Sequence, residues 1–174
     1  MDKLSLDRLK LLHPKIRDHV RDIYENQICP ALTGDYFCRI IYTYRSPEEQ
    51  AEIYARGRTK LFDAQGNRLG IVTKAKPGLS WHQWSLALDF CLVNKNSVSW
   101  DITRDYDKDG KADWIEVADI FKRNGYEWGG DWKSFKDYPH IQSPSKYTLK
   151  QMMKKYSDGD TFLDTSTNIK YVNI

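Results

Sequence analysis

Ser80-Trp81-His82-Gln83-Trp84-Ser85-Leu86-Ala87-Leu88-Asp89-Phe90-Cys91-Leu92-Val93 is the stretch on which the reading of the chain turns. From Leu86 to Val93 it is apolar except for Asp89, the pattern of a buried strand with one polar intrusion. A carboxylate in such a strand is costly unless another group pairs with it. His82, in the preceding loop, and a second cluster, Asp137-Tyr138-Pro139-His140, supply groups of the right chemistry.

Working outward, Phe37 to Tyr44 is rich in β-branched and aromatic residues and reads as a strand that delivers Arg45 at its end. Ser46-Pro47-Glu48-Glu49 combines an N-cap serine, proline in the first turn and glutamate three residues after the cap, so a helix starts there and runs to about Gly57. Gln50 then lies within one turn of Arg45. Upstream, Pro14 opens a packing helix through Ile16, Val20, Ile23 and Ile28, ended at Cys29-Pro30. Downstream, Trp114 to Arg123 reads as a helix closed by Asn124-Gly125. A short strand at Tyr126-Glu127-Trp128, a Gly129-Gly130 turn and a strand at His140-Ile141-Gln142 follow.

Residues 58 to 79 read as a loose hairpin or flap carrying Arg58, Lys60, Arg68, Lys74 and Lys76. The fold class is α+β, a single domain with a small antiparallel sheet flanked by helices. That domain is expected over residues 1–156. Residues 157–174 read as a polar C-terminal tail, in which Ile169 to Val172 could add an edge strand.

A length of 174 residues is too short for two full-sized domains, and 6 Trp, 11 Tyr and 6 Phe supply a core and argue against disorder. No apolar run is long enough to cross a bilayer, and the N-terminus lacks the apolar stretch of a secretory signal. The expectation is therefore synthesis in the cytoplasm without a leader and no membrane insertion. Lys and Arg number 27 against 24 Asp and Glu, which does not indicate nucleic acid. Cys29, Cys38 and Cys91 are an odd count without C-x-x-C spacing, so neither a disulfide framework nor a thiolate metal site is indicated.

Two imidazoles and one carboxylate can hold a tetrahedral zinc and leave one position for water, as catalytic zinc sites require. His82, Asp89 and His140 are such a set, and Asp137, three residues before His140, is placed to be a base. The spacing matches none of the common helical zinc motifs, so on the residues alone a hydrogen-bonded structural role for each histidine stands beside the metal reading.

A second ion site is written more openly. Asp105-Tyr106-Asp107-Lys108-Asp109-Gly110-Lys111-Ala112-Asp113-Trp114-Ile115-Glu116 matches the EF-type calcium loop. Asp105, Asp107, Asp109, Asp113 and Glu116 stand at positions 1, 3, 5, 9 and 12, with Gly110 at 6 and the carbonyl of Lys111 at 7. Five carboxylates this close repel one another unless a cation holds them. The preceding segment from Ser97 to Arg104 looks extended, so the loop lies outside a regular helix pair.

Taken together, Ser80-x-His82-x6-Asp89, Asp137-x-Pro139-His140, Tyr44-Arg45-Ser46-x3-Gln50 and Glu127-Trp128-Gly129-Gly130-Asp131-Trp132 resemble the zinc-dependent L-alanyl-D-glutamate endopeptidases. These are phage endolysins and bacterial wall hydrolases related to D-alanyl-D-alanine carboxypeptidases and dipeptidases. The resemblance covers about residues 10 to 145. It implies zinc on His82, Asp89 and His140, Asp137 as catalytic base, Arg45 stabilising an oxyanion or substrate carboxylate, and Gln50 and Ser80 lining the substrate site. It further implies a peptidoglycan hydrolase that acts on stem peptides at the cell wall after release; a monomer is expected, and the acidic loop is expected to make the enzyme calcium-regulated. A D-Ala-D-Ala carboxypeptidase and a non-catalytic, calcium-dependent wall-binding module are the rivals. Ser85 stands where the family usually has glycine, and a serine fits there if the backbone has negative φ.

Overall fold

In the computed structural model, which describes residues 2–174, the helices are α1 (Lys3–Leu9), α2 (Pro14–Ile23), α3 (Cys29–Ala31), α4 (Pro47–Ala55), α5 (Asp113–Arg123) and α6 (Leu149–Ser157). The strands are β1 (Phe37–Tyr42), β2 (Ala87–Val93), β3 (Val98–Ser99), β4 (Glu127–Trp128), β5 (His140–Gln142), β6 (Thr161–Asp164) and β7 (Ile169–Val172). The chain divides into two compact units, each built from two separate stretches. One comprises the chain up to Tyr44 with Ser85–Ser145; the other comprises Arg45–Trp84 with Lys146–Ile174.

The first unit contains the main sheet, antiparallel throughout, in the order β1-β2-β5-β4 with β3 pairing the far end of β2. This is the α+β arrangement with a small antiparallel sheet that the sequence predicts. Its centre is β2, buried along its length except at Asp89, which is partly exposed. Ile40, Leu88, Phe90 and Leu92 of the sheet join Leu9, Val20, Ile23 and Ile28 from the N-terminal helices and Trp114, Val117 and Phe121 from α5 in one apolar core. His13 caps α2, its Nδ1 accepting from the Lys15 amide, with Pro14 in the first turn. A π-helical turn (Tyr24–Ile28) then carries this helix into α3.

Ser85 corrects one expectation. Its φ is 57°, in the left-handed region where glycine is at ease, and its buried hydroxyl has no hydrogen-bond partner among the described residues. The serine fits because its carbonyl is held by the His13 amide at 2.9 Å, and its local cost is carried by the rest of the unit.

The second unit holds α4, the 58–79 segment, a 3₁₀ turn (Trp81–Trp84), α6 and the β6–β7 hairpin. The capping box of α4 forms as predicted, with Ser46 accepting from the Glu49 amide and Glu49 accepting from that of Ser46. In the segment read as a polar tail, the strand expected at Ile169–Val172 forms and pairs with Thr161–Asp164 in a regular hairpin, with Ile169, Tyr171 and Val172 buried. Helix α6 was not foreseen. Its capping box at Thr148 and Gln151 and its buried Met152 account for it. Among the described residues, no helix is long and apolar enough to cross a membrane.

Candidate metal and catalytic site

The polar intrusion in β2 has its partner directly opposite. Asp89 is the register neighbour of His140, the first residue of β5, and Oδ1 of Asp89 lies 3.3 Å from Nδ1 of His140. The ring is buried, 6% exposed, and the Trp132 indole leans over it at 5.2 Å between centroids. Burial works against charge on this imidazole, but the hydrogen bond and field of Asp89 outweigh it and hold the pKa above the ordinary histidine value. A carboxylate oxygen and an imidazole nitrogen converging in this way are donors that exchange a proton for a divalent cation. The pair therefore fits zinc chemically.

The segment that delivers Asp137 and His140 is fastened at each carbonyl. The Asp137 amide donates to the Gly129 carbonyl at 3.1 Å, and the Asp137 carbonyl accepts from the His140 amide at 3.2 Å. The Tyr138 carbonyl receives two indole N–H groups, from Trp128 at 2.8 Å and Trp114 at 3.2 Å. The Pro139 carbonyl accepts from the Phe90 amide. Two of the tryptophans in the sequence motifs thus hold backbone in place. At the other end of β5, Gln142 bonds the remaining nitrogen of His140, a contact that no motif in the sequence announces.

In the second unit, Arg45 follows β1, and its amide donates to the His82 carbonyl at 3.1 Å. One Nη of Arg45 donates to Oε1 of Gln50 at 3.1 Å. Gln50 is fully buried, its Nε2 donating to the Ala75 carbonyl at 2.7 Å, so its amide is engaged at both ends and orients Arg45. His82 lies buried in the 3₁₀ turn, whose first turn is closed by the Ser80 carbonyl accepting from the Gln83 amide. Two of the basic residues on the 58–79 segment are engaged internally. Arg58 bonds the carbonyls of Tyr54 and Thr73, and Lys60 pairs with Glu52.

The acidic loop in the first unit has a defined geometry. Carboxylate oxygens of Asp105, Asp107 and Asp109 lie within 4.8 Å of one another. Asp105 accepts from the amides of Lys108 and Gly110, and Gly110 has a φ of 96°. Lys111 reaches back towards Glu116 at 3.4 Å. Asp113 opens α5 and is 1% exposed; its Oδ1 accepts from the Tyr106 amide, while Oδ2 has no partner among the described residues. Burial, and the charges of Asp107 and Asp105, push its pKa up. Asp107 is pulled down by the Thr33 amide that donates to it.

Comparison with known proteins places this geometry in context. The family model described as D-alanyl-D-alanine carboxypeptidase matches residues 73–143, which contain His82, Asp89, Asp137 and His140. The peptidoglycan L-alanyl-D-glutamate endopeptidase CwlK of Bacillus subtilis is 51% identical over 100 residues, 57% of this chain and 56% of that protein. The L-alanyl-D-glutamate peptidase of Listeria phage A118 is 35% identical over 103 residues, 55% of this chain and 34% of that protein. The chain therefore spans about half or less of the length of these relatives. The crystal structure of the Serratia marcescens L-Ala D-Glu endopeptidase ChiX shares the fold, with a TM-score of 0.50 at 23% identity over 83% of this chain and 89% of that one. The resemblance carried by the motifs is thus borne out: the chain is similar in sequence to L-alanyl-D-glutamate endopeptidases.

Proposed function

We propose that the chain is a zinc metallopeptidase that hydrolyses the L-Ala-D-Glu bond of peptidoglycan stem peptides. The observation that carries this reading is the Asp89–His140 pair, planted in an apolar sheet three residues from Asp137 and inside the matched segment. A partly buried carboxylate facing a buried imidazole is a donor pair suited to a divalent cation.

His82, Asp89 and His140 would hold the metal, which when bound supplies a Lewis acid and a water acidic enough to react near neutral pH. Asp137 takes the proton of the attacking water and returns it to the leaving amine. The scissile C–N bond breaks, and the products carry a new carboxylate on L-alanine and a new amino terminus on D-glutamate. Arg45, oriented by Gln50, offers a planar fork to the carbonyl oxygen or to a substrate carboxylate, and Ser80 lines the substrate site. The enzyme acts at the cell wall as a monomer, in the manner of an endolysin.

The loop from Asp105 to Glu116 is the place for calcium, and its effect is regulatory. Two features support this: the orphaned, buried Oδ2 of Asp113, and Trp114, which joins the loop to the Tyr138 carbonyl between Asp137 and His140. Calcium in the loop would settle α5 and, through the indole, the segment that carries the base.

The test combines metal analysis with mass spectrometry of digested peptidoglycan. Stoichiometric zinc in the wild type, lost in His140→Ala, is expected, as is Asp137→Asn with zinc retained and turnover lowered by about 10²-fold or more. Full metal and activity in His140→Ala would exclude the assignment. The description of the matching family model favours a second reading, D-Ala-D-Ala carboxypeptidase. Release of terminal D-alanine alone from a defined stem peptide would put that reading in place of ours.

A further inference from the structure

We infer that the ribbon formed by residues 61–69, with the segment that follows it, docks on an anionic lipid surface and lies in the headgroup region without crossing the bilayer. The inference concerns the second unit alone and stands whether or not the zinc reading does.

It starts from a short antiparallel ribbon held by backbone and polar groups. The Leu69 amide donates to the Leu61 carbonyl at 2.8 Å and the Asp63 amide to the Asn67 carbonyl at 3.0 Å, with Phe62 opposite Arg68. Asp63 closes the turn, accepting from the amides of Gln65 and Asn67 and from the Asn67 side chain. The base is fixed by a close approach: a Cβ on Gly57 would lie 2.6 Å from the Gly70 carbonyl carbon and the Ile71 amide nitrogen.

The apolar side chains take no part in these bonds and stand in water. Leu61 is 45% exposed, Phe62 57%, and Ile71 and Val72 60% each. A single exposed apolar residue is ordinary, but four between residues 61 and 72 form a patch of the kind that marks a binding surface. Neighbours along a strand point to opposite faces, so Leu61 and Phe62 leave both faces of the ribbon wet. A flat partner would cover one face, whereas a fluid interface surrounds both.

The charge around the patch selects the interface. From Arg56 to Lys76 the segment carries six cations against one acid, Asp63, whose oxygens are engaged in the turn. Arg68, Lys74 and Lys76 are exposed. Cations beside exposed apolar groups suit an anionic bilayer, where the charges meet headgroup phosphates and the apolar groups enter the acyl boundary. A hydrophilic polyanion would meet the charges and leave Phe62, Ile71 and Val72 in water, so the lipid surface is the better fit.

The experiment is co-sedimentation of the full chain with vesicles of phosphatidylcholine containing phosphatidylglycerol, beside vesicles of phosphatidylcholine alone, with soluble poly(glycerol phosphate) as a separate polyanion. Wild type should bind the anionic vesicles, bind the neutral ones at least about tenfold more weakly, and be released by salt. Arg68→Ala combined with Lys76→Ala removes two cations, each contributing about fivefold, and should weaken binding roughly 25-fold. Phe62→Ser should weaken it about tenfold through lost apolar burial. Melting temperatures should stay at the wild-type value, because the altered side chains are exposed. Should Phe62→Ser fail to fold, Ile71→Ser removes an equally exposed apolar side chain and decides in its place. Wild-type protein that ignores anionic vesicles, or folded variants that bind them as wild type does, would overturn the inference. So would tighter binding to poly(glycerol phosphate) that Phe62→Ser leaves unchanged, which would give the surface to a polyanion instead.

Discussion

Gly129 and Asp137 stand closer than any side chain at position 129 would allow: a Cβ there would lie 2.3 Å from the Asp137 carbonyl oxygen. The constraint is on backbone against backbone, so no rotamer change can relieve it. The Asp137 amide is held to the Gly129 carbonyl in the same contact.

Gly129→Ala should therefore push the segment carrying Asp137 outward. A displacement on the order of 1 Å at a catalytic group costs about 10²-fold in rate. Turnover should fall by about that factor, and the melting temperature should drop with it. The check is steady-state hydrolysis of a defined stem peptide alongside zinc content. Wild-type turnover in the alanine variant would show that the close approach does not set the position of Asp137.

Ser85 makes the opposite prediction. Left-handed backbone costs a non-glycine residue roughly 1–2 kcal/mol, and the buried hydroxyl adds the cost of an unmade hydrogen bond. Ser85→Gly should raise the melting temperature by about 2–4 °C for each kcal/mol recovered. Calorimetry would decide, and a lower melting temperature would mean that the serine is held by contacts that outweigh the strain.

For the acidic loop, the sign of the pH effect follows from Asp113. Its pKa is raised in the fold, so between the unfolded and folded values the native state binds the extra proton. The calcium-free protein should accordingly gain stability as pH falls through the raised pKa and lose that gain as pH rises through it. Asp113→Asn should stabilise the chelated protein at neutral pH and abolish the rise in melting temperature on adding calcium. If the variant still responds to calcium as the wild type does, the loop assignment fails. Trp114→Phe, which removes the N–H to the Tyr138 carbonyl, should keep calcium binding but separate it from activity.

Arg45 supplies a test in the second unit. Arg45→Lys keeps the charge but loses the fork held by Gln50, and activity should fall by about 10- to 100-fold while the fold is retained. Gln50→Leu should have a similar effect and a lower melting temperature, because it removes the donor to the Ala75 carbonyl and the acceptor that holds one Nη of Arg45. Kinetics beside thermal melts would separate the two effects, and unchanged turnover in Arg45→Lys would leave Arg45 a surface cation.

Where local chemistry decides structure, the sequence was readable. Ser46 and Glu49 announce their helix through complementary donors and acceptors, and the apolar run from Leu86 to Val93 announces a central strand with one charge to be paired. His140 and Asp137 were visible because their chemistry is unusual so near an apolar segment. Gln142 was not, since a glutamine at a strand end is ordinary until the register places Glu127 opposite it. Ile169 to Val172 was readable as a strand, but its partner β6 was hidden in a polar composition, so the hairpin was not. Ser85 shows the limit from the other side: its identity says nothing of a positive φ that only the surrounding fold imposes.

The discontinuous build of the two units sets the order in which the protein can be completed on the ribosome. The chain leaves the first unit after Tyr44 and re-enters it at Ser85, and the second unit resumes only at Lys146. Strand β1 thus emerges with no β2 to pair with, and it waits while α4 and the 58–79 segment are made. At synthesis rates of about 5–20 residues per second, the hundred or so residues still needed to close the first unit take roughly 5–20 s. For about half of that interval, until β2 ends at Val93, the nascent chain lacks the strand that pairs with β1. Occupancy of the β1 edge by a holdase, or pausing of the ribosome before residue 85, would then govern the yield of folded protein more than the stability of the finished one.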